Sequence, residues 1–253
     1  LGNVLMGRLN ADMDHIETFL CYVGGLPVVR RKPYEYGAVF SPIDVIEEYT
    51  RPARYIQDGK EIVRPALSDI EEIDFAGVGT LEAFNTDGLR TLAVTMNAPN
   101  MKEKTMRYPG HAALMKALRD TGFFGKDSID VNGRPVAPLD VTARLLFPAW
   151  QMEEGEEDLS VMRVIIEGEK DGLREKHTFD LLDRYDRATG TTSMARTTGY
   201  TCAVAARLVA DGSFGRPGIS PVEFLGAEQP VFDALMEGLR ERNIVFRHQM
   251  TPS

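Results

Sequence analysis

Val161-Met162-Arg163-Val164-Ile165-Ile166-Glu167, then Glu169-Lys170-Asp171-Gly172, then Lys176-His177-Thr178-Phe179-Asp180-Leu181-Leu182-Asp183-Arg184-Tyr185: this run decides the fold. Two β-branched and aromatic segments flank an Asp-Gly pair, which tolerates the positive backbone angles of a tight hairpin turn. The spacing predicts an antiparallel strand pair. A second Asp-Gly, Asp58-Gly59, sits between Arg54-Tyr55-Ile56 and Glu61-Ile62-Val63 and predicts another hairpin.

Outward from these hairpins, His15 to Val23 mixes aromatic and β-branched residues and reads as a strand that ends in a turn at Gly24-Gly25. Leu81 to Phe84 and Lys104 to Tyr108 are further strands. Asp186 to Gly190 reads as a turn, followed by an extended segment over 191–196. Helical spacing appears at Leu1, Val4, Leu5 and Leu9. It appears again after Ser41-Pro42, where serine is expected to cap the helix and Pro52 to end it. Leu114, Met115 and Leu118 form an expected inward face closed by Gly122, and Leu139, Val141 and Leu145 form another. Helices are also expected over 198–209 and 230–242. The acidic residues Glu153, Glu154, Glu156, Glu157 and Asp158 read as a solvated linker. The fold class expected is α+β, a mixed and largely antiparallel sheet with helices packed on it. Residues 1–253 are read as one large domain.

The bulk numbers limit the function classes. Hydrophobic residues make up 43% and charged residues 26%, the balance of a water-soluble globular protein. A net charge of −9 sets nucleic acid aside as a partner, because phosphate neutralisation needs basic surface. No apolar run reaches the ~20 residues that span a bilayer, so no membrane partner is expected and the cytoplasm is the expected location. Cys21 and Cys202 are too few for a disulfide framework and are expected to be buried free thiols, and the four histidines are too scattered for a metal site. A helix that starts at residue 1 without a cap suggests that a segment precedes Leu1.

A dinucleotide-binding chain should carry G-x-G-x-x-G between a strand and a helix. Only Gly77 and Gly79 approach it, with Glu82 in the third position, so no Rossmann domain is expected within this chain. Candidate site residues are polar groups at turns, where rigid elements aim side chains into clefts. Glu48, Thr50 and Arg51 end the helix after Ser41, and Asp87 follows a strand end. Arg107 and His111 flank a strand-to-helix junction, and Thr198 and Tyr200 flank another. Solvated surface, an Asx turn and helix capping are the respective alternatives.

The same stretches, with Tyr22-Val23-Gly24-Gly25-Leu26-Pro27, Glu48-Tyr49-Thr50-Arg51-Pro52-Ala53, Thr86-Asp87-Gly88-Leu89, Arg107-Tyr108-Pro109-Gly110-His111 and Ser193 to Tyr200, resemble the C-terminal domain of the saccharopine dehydrogenase family. Residues 48–52 and the Pro-Gly-His ending at 111 are more similar to lysine 6-dehydrogenases within it. The resemblance implies a substrate-binding and dimerising domain of an oxidoreductase acting on a C–N bond of lysine, saccharopine or a related amine. NAD or NADP would be held mainly by an N-terminal domain outside this chain, a small amino acid would be the substrate, and a homodimer the assembly. This fragment alone would then be inactive.

Within that frame, His111 and Asp87 are the expected catalytic residues. Glu48, Thr50, Arg51, Arg107, Thr198 and Tyr200 are the expected substrate-binding residues, with arginine suited to a carboxylate and Asp87 or Glu48 to an ammonium. A non-catalytic binding or scaffolding relative is the alternative reading, and a self-contained hydrolase or transferase using Asp87 and His111 is a third.

Overall fold

The structure is a computed structural model that describes residues 1–252. In chain order the elements are α1 (Gly2–Asp12), β1 (His15–Pro27), α2 (Pro42–Thr50), β2 (Ala53–Gln57), β3 (Lys60–Arg64), β4 (Glu71–Phe75), β5 (Gly79–Asn85), α3 (Leu92–Thr95), β6 (Asn100–Arg107), α4 (His111–Thr121), β7 (Ile129–Val131), β8 (Arg134–Val136), α5 (Pro138–Trp150), β9 (Asp158–Lys170), β10 (Leu173–Arg184), α6 (Ser193–Ala195), a π-helical turn (Arg196–Tyr200), α7 (Thr201–Ala210), α8 (Glu223–Ala227), α9 (Gln229–Arg240) and β11 (Arg247–Pro252).

The expected hairpin is the β9–β10 pair, with Asp171 at φ 52° and Gly172 at φ 74° in its turn. It lies inside a sheet ordered β11-β10-β9-β1-β6-β2-β3, with β5 also paired to β6 and β4 to β5. Every ladder is antiparallel except β1–β6, which is parallel. The fold is therefore α+β with a mixed, largely antiparallel sheet, and no Rossmann domain lies among the described residues. The Gly77–Gly79 segment is the tight turn between β4 and β5, both glycines having positive φ, rather than a phosphate-binding strand-to-helix loop. No helix among the described residues is long and apolar enough to cross a membrane.

Helices cover the sheet through three apolar clusters. Leu5, Met6 and Leu9 of α1 pack on Phe19, Cys21, Val164 and Ile166. Tyr49, Met115 and Trp150 join α2, α4 and α5. Val204, Leu208, Leu235 and Leu239 join α7 to α9.

Several expectations need correction. Gly24-Gly25 is not a turn, since β1 runs through it to Pro27. The glycines permit close packing instead, a Cβ on Gly24 standing 2.7 Å from the Met106 carbonyl oxygen and one on Gly25 2.7 Å from the Met194 methyl. Asp158 is no part of a solvated linker, because it is fully buried and accepts hydrogen bonds from the Ser193 and Met194 amides at 2.6 and 3.0 Å. Residues 193–200 are helical rather than extended, so Thr198 and Tyr200 lie in a π-helical turn and not at a strand-to-helix junction. Ser41 precedes α2 without a side-chain capping bond.

Two helices bury only part of the face expected, Leu139 in α5 and Met115 with Leu118 in α4. Trp150 draws Leu139, Thr142 and Leu146 inward in α5, which leaves Val141 and Leu145 exposed, and in α4 Ala112 and Met115 are buried while Leu114 is exposed. Cys21 is buried as expected, but Cys202 is exposed. β4, the β7–β8 hairpin and β11 are additional strands. The β11 sequence is exposed at every residue and so lacks the apolar alternation that marks a half-buried strand.

Candidate functional site

The parallel pair β1–β6 ends beside a polar cavity of 220 Å³ lined by residues that include Glu48, Arg51, Asp87, Arg90, Glu103 and Thr105. Glu48 and Arg51 come from the end of α2, Glu103 and Thr105 from β6, and the rest from the loop after β5.

Glu103 is the centre of this arrangement. Its Oε2 accepts a hydrogen bond from the Thr86 hydroxyl at 3.2 Å, and that hydroxyl lies 3.0 Å from the Thr105 hydroxyl. A Cβ on Gly88 would lie 1.3 Å from Glu103 Oε2, so the carboxyl occupies space that only a glycine at 88 leaves open. Burial, reinforced by the nearby Glu48 charge, pushes the Glu103 carboxyl up to about 7. Among the described residues Glu103 has no ion-pair partner within 4.0 Å, and neither has Arg90, which lines the same cavity. Arg90 is exposed and adopts φ 53°, one of eight non-glycine residues with positive φ among the described residues.

The other charges in the cavity are engaged. Glu48 accepts from Arg107 Nη2 at 2.7 Å, and although burial raises the Glu48 pKa, Arg107 offsets part of that rise. Asp87 receives two hydrogen bonds from the Arg54 guanidinium at 2.9 and 3.0 Å; burial alone would raise its pKa, but Arg54 holds it below the usual range. Arg51 lies 3.5 Å from Glu47, which also takes Lys126 at 2.8 Å.

His111 is placed differently. It starts α4, whose first free amides at Gly110 and Ala112 are capped by the buried Glu82 carboxylate from β5. The His111 Nδ1 is 2.9 Å from the Tyr34 carbonyl oxygen and must therefore carry the proton, which leaves Nε2 to accept from the Tyr49 hydroxyl at 2.8 Å. The ring sits against Tyr36 and Tyr49, and burial together with the Arg107 charge pushes it down to about 3. Arg107 joins the two regions, lying 4.8 Å over the Tyr36 ring while pairing with Glu48.

Of the residues picked from sequence, the cavity gathers Glu48, Arg51 and Asp87, with Arg107 reaching it through Glu48. Thr50 is not among them, its hydroxyl donating to the Ile46 carbonyl within α2 at 3.0 Å. Thr198 lines a separate apolar cavity of 690 Å³ and donates to the Met194 carbonyl, while Tyr200 lies beneath Arg196 and Arg242. No hydrogen bond joins Asp87 to His111 among the described residues, each being bonded elsewhere, so the constellation of a self-contained hydrolase is missing. Sequence reasoning missed Glu103, Arg90 and Thr105. A glutamate between lysines in Lys102-Glu103-Lys104 gives no signal unless its strand is known to be central.

A family model described as the saccharopine dehydrogenase C-terminal domain matches residues 3–245. The chain belongs to that family. The family is one of amino-acid oxidoreductases. Among its relatives, the NADP(+), L-glutamate-forming saccharopine dehydrogenase of Schizosaccharomyces pombe is 33% identical over 129 residues, covering 50% of this chain and 28% of that protein. The enzyme of the same name from Saccharomyces cerevisiae is 23% identical over 305 residues, covering 93% of this chain and 67% of that protein. The mitochondrial alpha-aminoadipic semialdehyde synthase of Bos taurus is 22% identical, with 93% and 32% covered.

The chain thus spans between about a quarter and two thirds of these saccharopine dehydrogenase family relatives. The solved apo saccharopine dehydrogenase (L-Glu forming) from Saccharomyces cerevisiae superposes with a TM-score of 0.73 at 19% identity, covering 99% of this chain and 70% of that one, which shows the shared fold. These saccharopine dehydrogenases are of the glutamate-forming, NADP-dependent type by name; the finer leaning of residues 48–52 and 109–111 toward lysine 6-dehydrogenases is not carried by them.

Proposed function

We propose that this chain is the substrate-binding part of a nicotinamide-dependent oxidoreductase that acts on a C–N bond of an amino acid such as saccharopine or lysine, and that the 220 Å³ polar cavity holds the ligand's charged groups. One observation carries the reading: an acid, Glu103, and a base, Arg90, both without ion-pair partners among the described residues, line the same cavity. An amino acid is a zwitterion, and its ammonium and carboxylate match that pair. Family membership supports the chemistry.

In this reading Arg90, helped by Arg51, takes the carboxylate as a guanidinium does. The Glu48–Arg107 ion pair fixes the wall beside it. Glu103 accepts the amine's proton, since a carboxyl poised near pH 7 can exchange protons at neutrality, and an amine must lose its proton before its carbon can be oxidised. His111 and Asp87 act as positioning residues, His111 by holding Tyr49 and Asp87 by holding Arg54. Thr50, Thr198 and Tyr200 take no part in the charged cavity.

We place the pyrophosphate of the nicotinamide cofactor outside this chain, since the Gly77–Gly79 turn joins two strands and no glycine-rich strand-to-helix loop is found among the described residues. NAD or NADP is accordingly assigned to another domain of the parent protein, with residues 1–253 as the substrate domain of a homodimer in the cytoplasm. The family resemblance supports the separate cofactor domain and the dimer, not the location.

Calorimetric titration of L-saccharopine and L-lysine into the chain tests the reading. Binding of at least one is expected, weakened tenfold or more by Glu103→Gln and by Arg90→Ala. Equal affinity in both variants would remove the assignment.

A further inference from the structure

We propose that β11 is a proton-released flap: one hydrogen bond between two imidazoles, His177 and His248, ties its side chains to the body of the sheet, and acid breaks that tie so that β11 leaves β10.

Little else holds β11. It lies at the edge of the sheet, pairs only with β10, and is exposed at every residue, so it buries no apolar face of its own. Among the described residues no other β11 side chain makes a hydrogen bond or an ion pair. Just before the strand, Phe246 packs against two apolar clusters of the core and gives the flap a fixed hinge.

The tie has a defined proton count. Phe179 and His248 are ladder partners and stack 4.2 Å apart at 4°, which carries the His248 ring toward His177, one pair along on the same face. His177 Nδ1 then lies 3.0 Å from His248 Nε2, and His177 Nε2 lies 3.0 Å from Glu175 Oε2. A carboxylate only accepts, so His177 Nε2 carries a proton. The contact between the rings holds one more. Either His248 Nε2–H donates to a bare His177 Nδ1, or a His177 imidazolium, favoured by Glu175, donates to a bare His248 Nε2. A second proton there would set N–H against N–H between two cations, and the bond would be lost.

Opened, both histidines can be charged; closed, only one can. The open state therefore binds one more proton in acid, and opening becomes up to tenfold easier for each pH unit below 6.5. His248 has the matching sign. Burial, and after it the His177 charge, lowers its pKa from 6.5, so its contribution is complete above that value and lost as pH falls through the lowered one.

Neighbouring charges supply no free counterion for the second proton. Asp233 and Glu237 of α9 line the same 380 Å³ cavity as His248, but Glu237 is taken by Arg240 and Asp233 accepts from Gln229 at 2.8 Å. On β9 the residue opposite His177 is Ile166, and α1 presents Leu5 to the cavity. Lys170 is near enough to Glu175 to feel its charge. Lys176, Asp180 and Arg247 lie on the other face of the strands, where Lys176 meets Glu167 at 2.8 Å and Asp180 meets Arg163 at 2.7 Å.

Amide hydrogen exchange of the chain, followed by NMR from pH 7.5 to 5 and corrected for the intrinsic pH dependence of exchange, tests the flap. Protection of the β11 amides is expected to fall tenfold or more between pH 6.5 and 5, while β9 amides in the same sheet keep theirs. In His248→Phe, which keeps a ring over Phe179 but takes no proton, β11 protection should not vary with pH. Because that ring could repack, nitrogen-15 spectra of the parent imidazoles give a second readout, with two titration steps expected and the second below 6.5.

Constant β11 protection across the range, β11 amides already unprotected at pH 7.5, an equal loss in β9, or the same pH slope in His248→Phe would each overturn the proposal. So would spectra in which both rings gain their protons together near pH 6.5.

Discussion

The Oε2 of Glu103 stands 1.3 Å from where a Cβ of residue 88 would lie, so the carboxyl on β6 and the backbone of the loop after β5 share one space. The colliding group is the end of a flexible side chain, which can rotate away. Gly88→Ala is therefore expected to unfold within a few degrees of the parent in a thermal melt, yet to weaken amino-acid binding tenfold or more because Glu103 is displaced. A large drop in melting temperature with unchanged affinity would contradict this.

Glu103 also imprints a pH dependence on stability. An unfolded glutamate loses its proton near 4.5, whereas the folded one holds it to about 7. Between those values the folded state binds more protons, so raising the pH through that window favours unfolding. Glu48, whose pKa is also raised by burial, acts in the same direction. Denaturant titrations from pH 4.5 to 8 should show Glu103→Gln gaining stability relative to the parent as pH rises, and parallel curves would refute it.

His111 has the opposite sign. Its folded value near 3 lies below the ordinary 6.5, so the unfolded state binds more protons between the two, and its contribution is complete above 6.5 and lost as pH falls toward 3. Nitrogen-15 spectra of the imidazole should report a neutral ring protonated at Nδ1 from pH 8 down to 5. Titration of that ring near pH 6.5 would place it outside its aromatic surroundings.

Tyr49→Phe removes the hydroxyl that pairs with His111 Nε2 and strands a buried acceptor. The expected cost is about 1–3 kcal/mol in denaturant unfolding. No measurable change would mean that the Tyr49–His111 bond does not form.

How far the sequence carried the fold depends on where local chemistry and tertiary position agree. Asp58-Gly59 and Asp171-Gly172 specify hairpins by themselves, because the turn needs positive φ at those two residues and they supply it. Gly24-Gly25 carried the wrong signal: a glycine pair in a strand and one in a turn look alike until Met106 and Met194 are known to press against it. Asp158 was hidden among four acidic neighbours, since only the folded chain brings the Ser193 and Met194 amides to it.

The site divides in the same way. Glu48, Arg51 and Asp87 were legible as polar residues at element ends, but Glu103 belongs to a central strand whose inward face is set by its pairing with Cys21. His111 was legible as a residue of interest and not as to role, because its low proton affinity comes first from burial against Tyr36 and Tyr49, both distant in sequence, and only then from the Arg107 charge four residues away.

The most direct test of the whole account is an amide NMR titration of the chain with L-saccharopine. The account predicts saturable shifts concentrated at Thr86, Asp87, Gly88, Arg90 and Thr105, around the Glu103 carboxyl. Saturable binding whose shifts cluster elsewhere, or the absence of any binding, would contradict it.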